Sequence, residues 1–136
     1  MKQHLTRIIL LLTLTLALSS CGDSDYIADD PIVGRWALQT VNSLPPSQEI
    51  DYEFYSDYTG AIVYNAGLPA QYTVPFEWDT QIAPGGAAYV TLYNYNGTQF
   101  RYLYSIRYQT QPGYGTVWFL QLTDLDTGDQ LLFQEY

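Results

Sequence analysis

Two pairs of carboxylates are the residues of this chain that could do chemistry. Asp51 and Glu53, and likewise Glu77 and Asp79, stand two positions apart in segments that alternate polar and apolar residues. Like-facing residues two apart on a strand are about 6.5 to 7 Å from each other, a separation compatible with acid and base catalysis of glycoside hydrolysis. The competing interpretation is a solvated face of an amphipathic strand. The sequence favours it, because nothing in the pattern buries either pair or separates the two pKa values.

The C-terminal region contains two further acidic motifs. Asp126-Thr127-Gly128 matches the tripeptide of aspartic proteases, but only eight residues follow it and the same tripeptide is typical of a turn. Asp124, Asp126 and Asp129 could gather around a calcium ion, but the twelve-residue loop that ends in glutamate is absent. We therefore expect a solvated acidic turn, with no metal site and no cofactor.

The first twenty residues have the composition of a secretory signal. Lys2, His4 and Arg7 form a cationic start, and an apolar run from Ile8 to Leu18 follows. A membrane-spanning helix needs roughly 20 predominantly apolar residues, so this run is too short to cross a bilayer. We predict that residues 1–20 are a cleaved signal peptide.

Cys21, the only cysteine, directly follows Leu18, Ser19 and Ser20. This order of an aliphatic residue, two small residues and a cysteine resembles the lipobox of bacterial lipoproteins. The resemblance implies cleavage before Cys21 and attachment of acyl chains such as palmitate to it. It also implies a lipid-anchored protein of the bacterial cell envelope, at the outer membrane with the leaflet left open. The alternative is an ordinary secretory signal with an incidental cysteine.

The charge of the mature chain restricts its partners and its chemistry. Cleavage would leave three arginines and fourteen carboxylates, a net charge of −11. Such a surface repels nucleic-acid phosphates and anionic headgroups, so membrane attachment must come from acyl chains. Neither histidine nor lysine occurs after Cys21, which excludes Ser-His, Cys-His and Schiff-base chemistry in one chain. We therefore predict a protein that is not an enzyme.

The mature chain divides into an acidic tether at 21–31 and a single domain at 32–136. The domain alternates apolar and polar residues in segments bounded by Gly, Pro, Asn and Asp, the pattern of an all-β fold. Eight segments follow this pattern: 33–42, 49–56, 59–65, 70–79, 87–95, 98–109, 115–123 and 129–135. Because closure removes exposed strand edges, we predict an eight-stranded antiparallel up-and-down barrel.

One hairpin can be given a register from sequence. Asn96-Gly97 is a preferred pair for a two-residue type I′ turn. Such a turn pairs Tyr95 with Thr98, Tyr93 with Phe100, Thr91 with Tyr102, and Tyr89 with Tyr104. All the aromatic members then share one face, which could be the core or a ligand-binding surface. The candidate ligand-binding residues are Tyr89, Tyr93, Phe100, Tyr102 and Tyr104.

The first predicted strand opens with Ile32-Val33-Gly34-Arg35-Trp36. Gly34 and Trp36 resemble the glycine-x-tryptophan start of lipocalins, within the calycins, and of bacterial lipocalin-like lipoproteins. The resemblance implies that Trp36 plugs the closed end of the barrel. Many relatives stack an arginine from the last strand on this tryptophan, and 133–136 offers none, so Arg101 or Arg107 takes that place or Trp36 is plain core.

Three functions follow from these observations. The preferred one is a lipid-anchored, lipocalin-like envelope protein that binds a small apolar or amphipathic ligand. The second is an envelope interaction module that docks a protein or a glycan through exposed aromatic residues. The least favoured is a glycan hydrolase that uses the carboxylate pairs. The sequence leaves the ligand and the oligomeric state open.

Overall fold

The computed structural model describes residues 30–113 and 115–136. The predicted signal peptide at 1–20, the lipobox with Cys21 and most of the predicted tether lie outside these residues. In the part of the chain that the structure describes, no helix is long and apolar enough to cross a membrane.

Eight antiparallel strands form a closed barrel in which each strand pairs with the next and the last pairs with the first. They are β1 (Gly34–Val41), β2 (Ile50–Phe54), β3 (Thr59–Tyr64), β4 (Tyr72–Ile82), β5 (Ala88–Asn94), β6 (Gln99–Gln111), β7 (Gly115–Asp124) and β8 (Gln130–Glu135). The all-β fold, the number of strands and their up-and-down order are confirmed. Each predicted segment overlaps its strand and differs from it by three residues or fewer at either end.

The barrel has two distinct ends because successive strands run in opposite directions. The connections after β1, β3, β5 and β7 lie at one end, which we call the open end. Residues 30–33, the connections after β2, β4 and β6, and the C-terminal Tyr136 lie at the other, which we call the closed end. The chain therefore enters and leaves the barrel at the closed end.

Aromatic and aliphatic side chains fill the closed end. Ile32, Trp36, Phe54 and Trp78 are each 3% exposed or less, and the Phe54 and Trp78 rings meet edge to face with centroids 5.5 Å apart. The indole N–H of Trp36 donates to the Ile32 carbonyl at 2.8 Å, and that of Trp78 donates to the Thr59 carbonyl at 2.8 Å. Both tryptophans are thus buried with their only polar group paired, as buried polar groups require.

The start of β1 places Trp36 inside the barrel and its neighbour Arg35 outside. Gly34 has φ +150°, a backbone conformation that side-chain-bearing residues rarely adopt, so glycine is favoured there. Arg101, one of the two residues expected to stack on Trp36, instead places its guanidinium 4.9 Å from the ring centroid of Tyr89. Trp36 itself belongs to the buried core cluster.

The predicted register of the β5–β6 hairpin is wrong by one residue. Val90 pairs with Tyr102 and Leu92 with Phe100, and the loop has three residues in which Gly97 has φ +82°. Asn96 keeps a negative φ, so the turn is not type I′. The Asn94 N–H donates to the Thr98 carbonyl at 3.0 Å, which closes the longer loop. A one-residue shift moves every side chain of a strand to the opposite face.

Candidate functional site

A pocket of about 330 Å³ lies inside the barrel at the open end. Its lining consists of Tyr52, Ile62, Tyr64, Val74, Pro75, Phe76, Leu92, Asn94, Phe100 and Tyr102. The volume falls in the range of about 300 to 1,000 Å³ that is usual for small-molecule sites. The site is therefore large enough for one small ligand, which eight-stranded barrels can hold.

The pocket has a solvent-accessible mouth and an aromatic floor. Val74 and Phe100 near the mouth are 38% and 41% exposed. At the floor, the Tyr52 ring packs against Phe133 and Phe76, with centroids 4.8 Å and 6.3 Å away. A ligand that enters from the open end would therefore lie between aromatic rings, with the packed core of the closed end beneath it.

A stacked pair of tyrosines stands at one side of the mouth. Tyr64 at the end of β3 pairs with Tyr72 at the start of β4. Their rings are 4.5 Å apart and nearly parallel, with an interplanar angle of 10°. Tyr72 is 51% exposed, whereas Tyr64 is partly buried and lines the pocket. The pair forms a rigid aromatic wall, because each ring restricts the other.

The pocket lining is uncharged and carries neutral hydroxyl groups. None of the ten lining residues is acidic or basic, and its polar groups belong to three tyrosines and to Asn94. Burial raises the pKa values of Tyr52 and Tyr64. Burial, followed by the Asp124 carboxylate opposite it in the sheet, raises the pKa of Tyr102 to about 12. All three phenols are therefore neutral near physiological pH, and each can donate and accept a hydrogen bond.

The structure separates the five residues that the sequence predicted as a ligand-binding face. Phe100 and Tyr102 line the pocket. Tyr104 points inward but lies nearer the closed end, where burial and then the Asp30 carboxylate raise its pKa. Tyr89 and Tyr93 are on the outside of the barrel, so the prediction that all five share a face is wrong.

The two outer tyrosines are engaged by polar partners instead. The Tyr93 hydroxyl donates to the Asp79 carboxylate at 2.9 Å, a bond that raises the pKa of Tyr93. The Arg101 guanidinium covers the Tyr89 ring. The aliphatic Val90 and Leu92 take the inner positions, 0% and 3% exposed. Aliphatic side chains at these inner positions need no hydrogen-bond partner when they are buried.

Sequence reasoning missed Tyr52, Tyr64 and Asn94 as pocket residues. A signal for the first two was present, since alternation in 49–56 and 59–65 places Tyr52 on the face of Phe54, and Tyr64 on the face of Ile62. Pairing of Tyr52 with Ile62 then brings these faces together. Asn94 carried no such signal, because an amide near a turn is ordinary.

The first carboxylate pair is part of an ion-pair cluster on the outer surface. Asp51 is 2% exposed, and the Arg35 Nη2 donates to its Oδ2 at 2.7 Å. The Nε of the same arginine lies 3.5 Å from Glu53 Oε1, and its guanidinium sits 4.3 Å from the ring centroid of Tyr136. The hydrogen bond that Arg35 donates to Asp51 is the main cause of the raised pKa of Arg35. This cluster ties β1 and β2 to the C-terminal residue.

The other acidic candidates are exposed, apart from the half-buried Asp124. Glu77 and Asp79 face solvent on the outside of β4. Asp124 Oδ1 accepts hydrogen bonds from the backbone N–H groups of Asp126 and Thr127, at 2.8 and 3.0 Å. This is an Asx-type turn, as expected. Across residues 30–113 and 115–136, no group of three or more His, Cys, Asp or Glu residues is placed to hold a metal ion.

The geometry of this chain thus brings together one aromatic pocket at the open end and one ion-pair cluster outside. Comparison of the chain with protein-family models, with curated proteins and with solved structures gave no match in any of the three.

Proposed function

We propose that this protein is a lipid-anchored lipoprotein of the bacterial cell envelope that is not an enzyme and binds one small, uncharged apolar or amphipathic molecule. The observation that carries the proposal is the pocket of about 330 Å³, walled by aromatic rings and free of charged lining residues. Rings offer stacking surface and neutral hydroxyls orient a polar group of the ligand.

The electrostatics of the site favour a neutral ligand over an anionic one. No cation lines the pocket to pair with a carboxylate or a phosphate. The Asp124 carboxylate, which contributes to the raised pKa of Tyr102, adds negative potential beside the wall. Burial of an unpaired charge is costly, so a fatty acid in its ionised form fits this site poorly.

The anchor follows from the resemblance of Leu18-Ser19-Ser20-Cys21 to a lipobox. The described chain begins at Asp30 on the closed end, and the pocket mouth is at the open end. A tether attached at the closed end leaves the mouth free. Growth with an alkyne-bearing palmitate tests the anchor: the native chain is expected to take up the label and Cys21→Ser to remain unlabelled.

Native mass spectrometry of the mature protein, purified in mild detergent from its host, tests ligand binding. The native chain is expected to carry a small additional mass. Val74→Trp narrows the mouth at a residue that is 38% exposed and is expected to lose this mass. Tyr89→Phe, a change on the outer face, is the matched control and is expected to keep it. An additional mass that persists in Val74→Trp would contradict binding in the pocket, and so would a native chain that carries none.

The rim of the open end supports a second candidate, an interaction module for a protein or a glycan. Leu68, Tyr72 and Tyr95 are 51%, 51% and 83% exposed there. Exposed aromatic residues are enriched where proteins bind partners. Under this alternative, crosslinks to a partner in the envelope are lost on replacing Tyr72 and Tyr95 by alanine and are unaffected by Val74→Trp.

A further inference from the structure

The closed end carries exposed apolar side chains on a hairpin that projects beyond the barrel. β5 pairs with β6 only as far as Tyr104, and β8 pairs with β7 only as far as Phe119. The β6–β7 ladder continues past both positions to the pair of Gln111 with Gly115. On this projection Tyr108 pairs with Trp118, and the two rings are 5.2 Å apart.

These two rings and an aliphatic residue at the same end of the barrel are open to solvent. Tyr108 is 65% exposed and Trp118 is 41% exposed. Ile82, the last residue of β4 at the same end, is 72% exposed. We call Ile82, Tyr108 and Trp118 the closed-end patch. Tyrosine and tryptophan are the residues that prefer the boundary between water and lipid, because each joins an apolar ring to a polar tip.

The part of the chain that bears the patch lacks negative charge. No carboxylate occurs between Asp79 and Asp124, and the only charged residues in that stretch are Arg101 and Arg107. All fourteen carboxylates of the sequence therefore lie elsewhere. The connection after β2, on the other side of the closed end, contains the exposed Asp57, whose pKa is lowered by hydrogen bonds from Thr59. Contact with a lipid surface is therefore compatible with the last residues of β4 and with the projecting β6–β7 hairpin, and not with the β2–β3 connection.

The described chain begins close to the elements that bear the patch. The Thr80 hydroxyl of β4 donates to Asp30 Oδ2 at 2.6 Å, and the Asp30 carboxylate is near enough to Tyr104 of β6 to raise its pKa. Asp30 lies nine positions after Cys21. A chain of nine residues spans at most about 30 Å. An acylated Cys21 would therefore keep the closed end within a short distance of the bilayer.

We propose that the closed-end patch docks onto the membrane that holds the anchor, with Ile82, Tyr108 and Trp118 in the interfacial region of zwitterionic lipid. This inference rests on the proposed lipid anchor. The docked barrel tilts toward the end of β4 and the projecting β6–β7 hairpin, which keeps Asp57 in water. The pocket mouth at the open end then faces away from the bilayer, so its ligand is exchanged with the aqueous phase rather than with the lipid beneath it.

Fluorescence quenching in phosphatidylcholine vesicles tests the docked orientation. The mature protein is reconstituted in vesicles whose acyl chains carry bromine close to the headgroup. Trp36 and Trp78 are 1% and 3% exposed, so Trp118 is the tryptophan that brominated lipid can reach. The native chain is expected to lose a substantial fraction of its Trp118 emission, and Trp118→Phe to lose none. Phenylalanine keeps a ring at this position, so the barrel is expected to fold normally.

A relocated reporter provides the matched control. Trp118→Phe combined with Tyr95→Trp moves the exposed tryptophan to the open end, at a position that is 83% exposed. No quenching is expected there. Equal quenching at the two positions would overturn the proposal, because it would mean that the barrel has no preferred orientation.

Flotation of the same vesicles separates failure of the docking from failure of the anchor. A chain that floats while Trp118 stays unquenched overturns the docking and leaves the lipid anchor intact. A chain that neither floats nor shows quenching overturns both. A blue shift of Trp118 emission that grows with protein concentration in the absence of vesicles would assign the patch to a second copy of the chain and would also overturn the proposal.

Discussion

The two ends of the barrel are both lined by aromatic rings, but one is filled and the other is hollow. At the closed end, Trp36, Phe54 and Trp78 interlock and exclude solvent. At the open end, Tyr52 and Tyr102 stand around a pocket of about 330 Å³. The filled and the hollow end also differ in what the polar groups of their rings contact. Each indole N–H reaches a backbone carbonyl, whereas phenol hydroxyls face a space that water or a ligand can enter.

This contrast shows how one eight-stranded barrel can be packed with side chains at one end and contain a pocket at the other. Residues 30–33 cross the closed end and supply both the Ile32 side chain and the carbonyl that Trp36 needs. The connections at the open end place no such segment among the residues that line the pocket. A chain segment that enters one end of the barrel therefore decides which end is filled and which stays hollow.

The largest effect is expected for substitution of the closed-end tryptophan. Trp36→Ala removes a 1%-exposed ring, and such truncations cost about 3 to 5 kcal/mol of unfolding free energy. Phe100→Ala at the open end removes a ring that is 41% exposed and should cost about 1 kcal/mol or less. Urea unfolding followed by circular dichroism measures both. Similar losses at the two ends would contradict the difference in packing.

The second-largest loss of stability is expected for the ion-pair cluster on the outer surface of the barrel. Arg35→Met leaves the Asp51 carboxylate without its cation. Because Arg35 is itself 44% exposed and water can take its place, the expected loss is about 2 kcal/mol, less than for a fully buried pair. Adding Asp51→Asn removes the stranded charge and should recover much of the loss. Arg101→Met is the matched control, because Arg101 is exposed like Arg35 and also covers a tyrosine but bonds the Gln81 amide instead of a carboxylate. It should cost less than about 1 kcal/mol. Equal losses for the two arginines, measured by urea unfolding, would show that the carboxylate plays no special part.

Alkaline pH should weaken the open end through its tyrosines. Burial raises the pKa of Tyr102 to about 12, and an unfolded tyrosine titrates near 10. The contribution of the neutral phenol to stability is therefore complete below pH 10 and is lost as the pH rises through about 12. Tyr102→Phe should reduce the pH dependence of the unfolding free energy over this interval by about 2 kcal/mol.

Tyrosinate absorbance provides a direct readout of the same titration. The late phase that belongs to Tyr102 should be missing in Tyr102→Phe and present in Tyr95→Phe, because Tyr95 is 83% exposed. An unchanged titration in Tyr102→Phe would mean that the pocket wall is more open to water than its burial indicates.

The smallest effect is expected at the rim of the open end. Hydrogen bonds from Asn42 and Thr127 lower the pKa of Asp129. A lowered carboxyl pKa stabilises the fold above the ordinary aspartate value and loses that contribution as the pH falls through the folded-state value. Asp129→Asn should therefore lower the melting temperature slightly at neutral pH and have no effect in strong acid. Asp126→Asn in the same turn is the control. If it lowers the melting temperature more than Asp129→Asn does, the stabilising carboxylate of this turn is Asp126 and not Asp129.

The strands could be predicted from sequence, because each segment has faces of different polarity and is bounded by turn residues. β4 illustrates this: Phe76 and Trp78 are buried, whereas Glu77 and Asp79 are exposed, as alternation predicts. β5 is different, because Tyr89 and Tyr93 on one face are as apolar in pattern as Val90 and Leu92 on the other. The choice there came from the Asn94 turn contacts, which lengthen the loop by one residue.

The pocket could be predicted only in part, for a related reason. Alternation places Phe100 and Tyr102 inside the barrel, and it would have done the same for Tyr52 and Tyr64. Whether inner rings touch or leave space depends on how far apart opposite strands stand and on what else enters the barrel. Those distances are set by the closed sheet as a whole, which no local pattern of residues specifies.

The entry of the chain at the closed end also has a mechanical consequence. Just before β1, the Val33 N–H donates a hydrogen bond to the Asp30 carbonyl. β1 itself is paired on both sides, with β2 and with β8. Antiparallel hydrogen bonds run perpendicular to the strands. A force applied through the residues before Asp30 acts along β1 and must shear both ladders together instead of opening them one bond at a time. A strand loaded in this way is therefore well placed to transmit tension without unravelling.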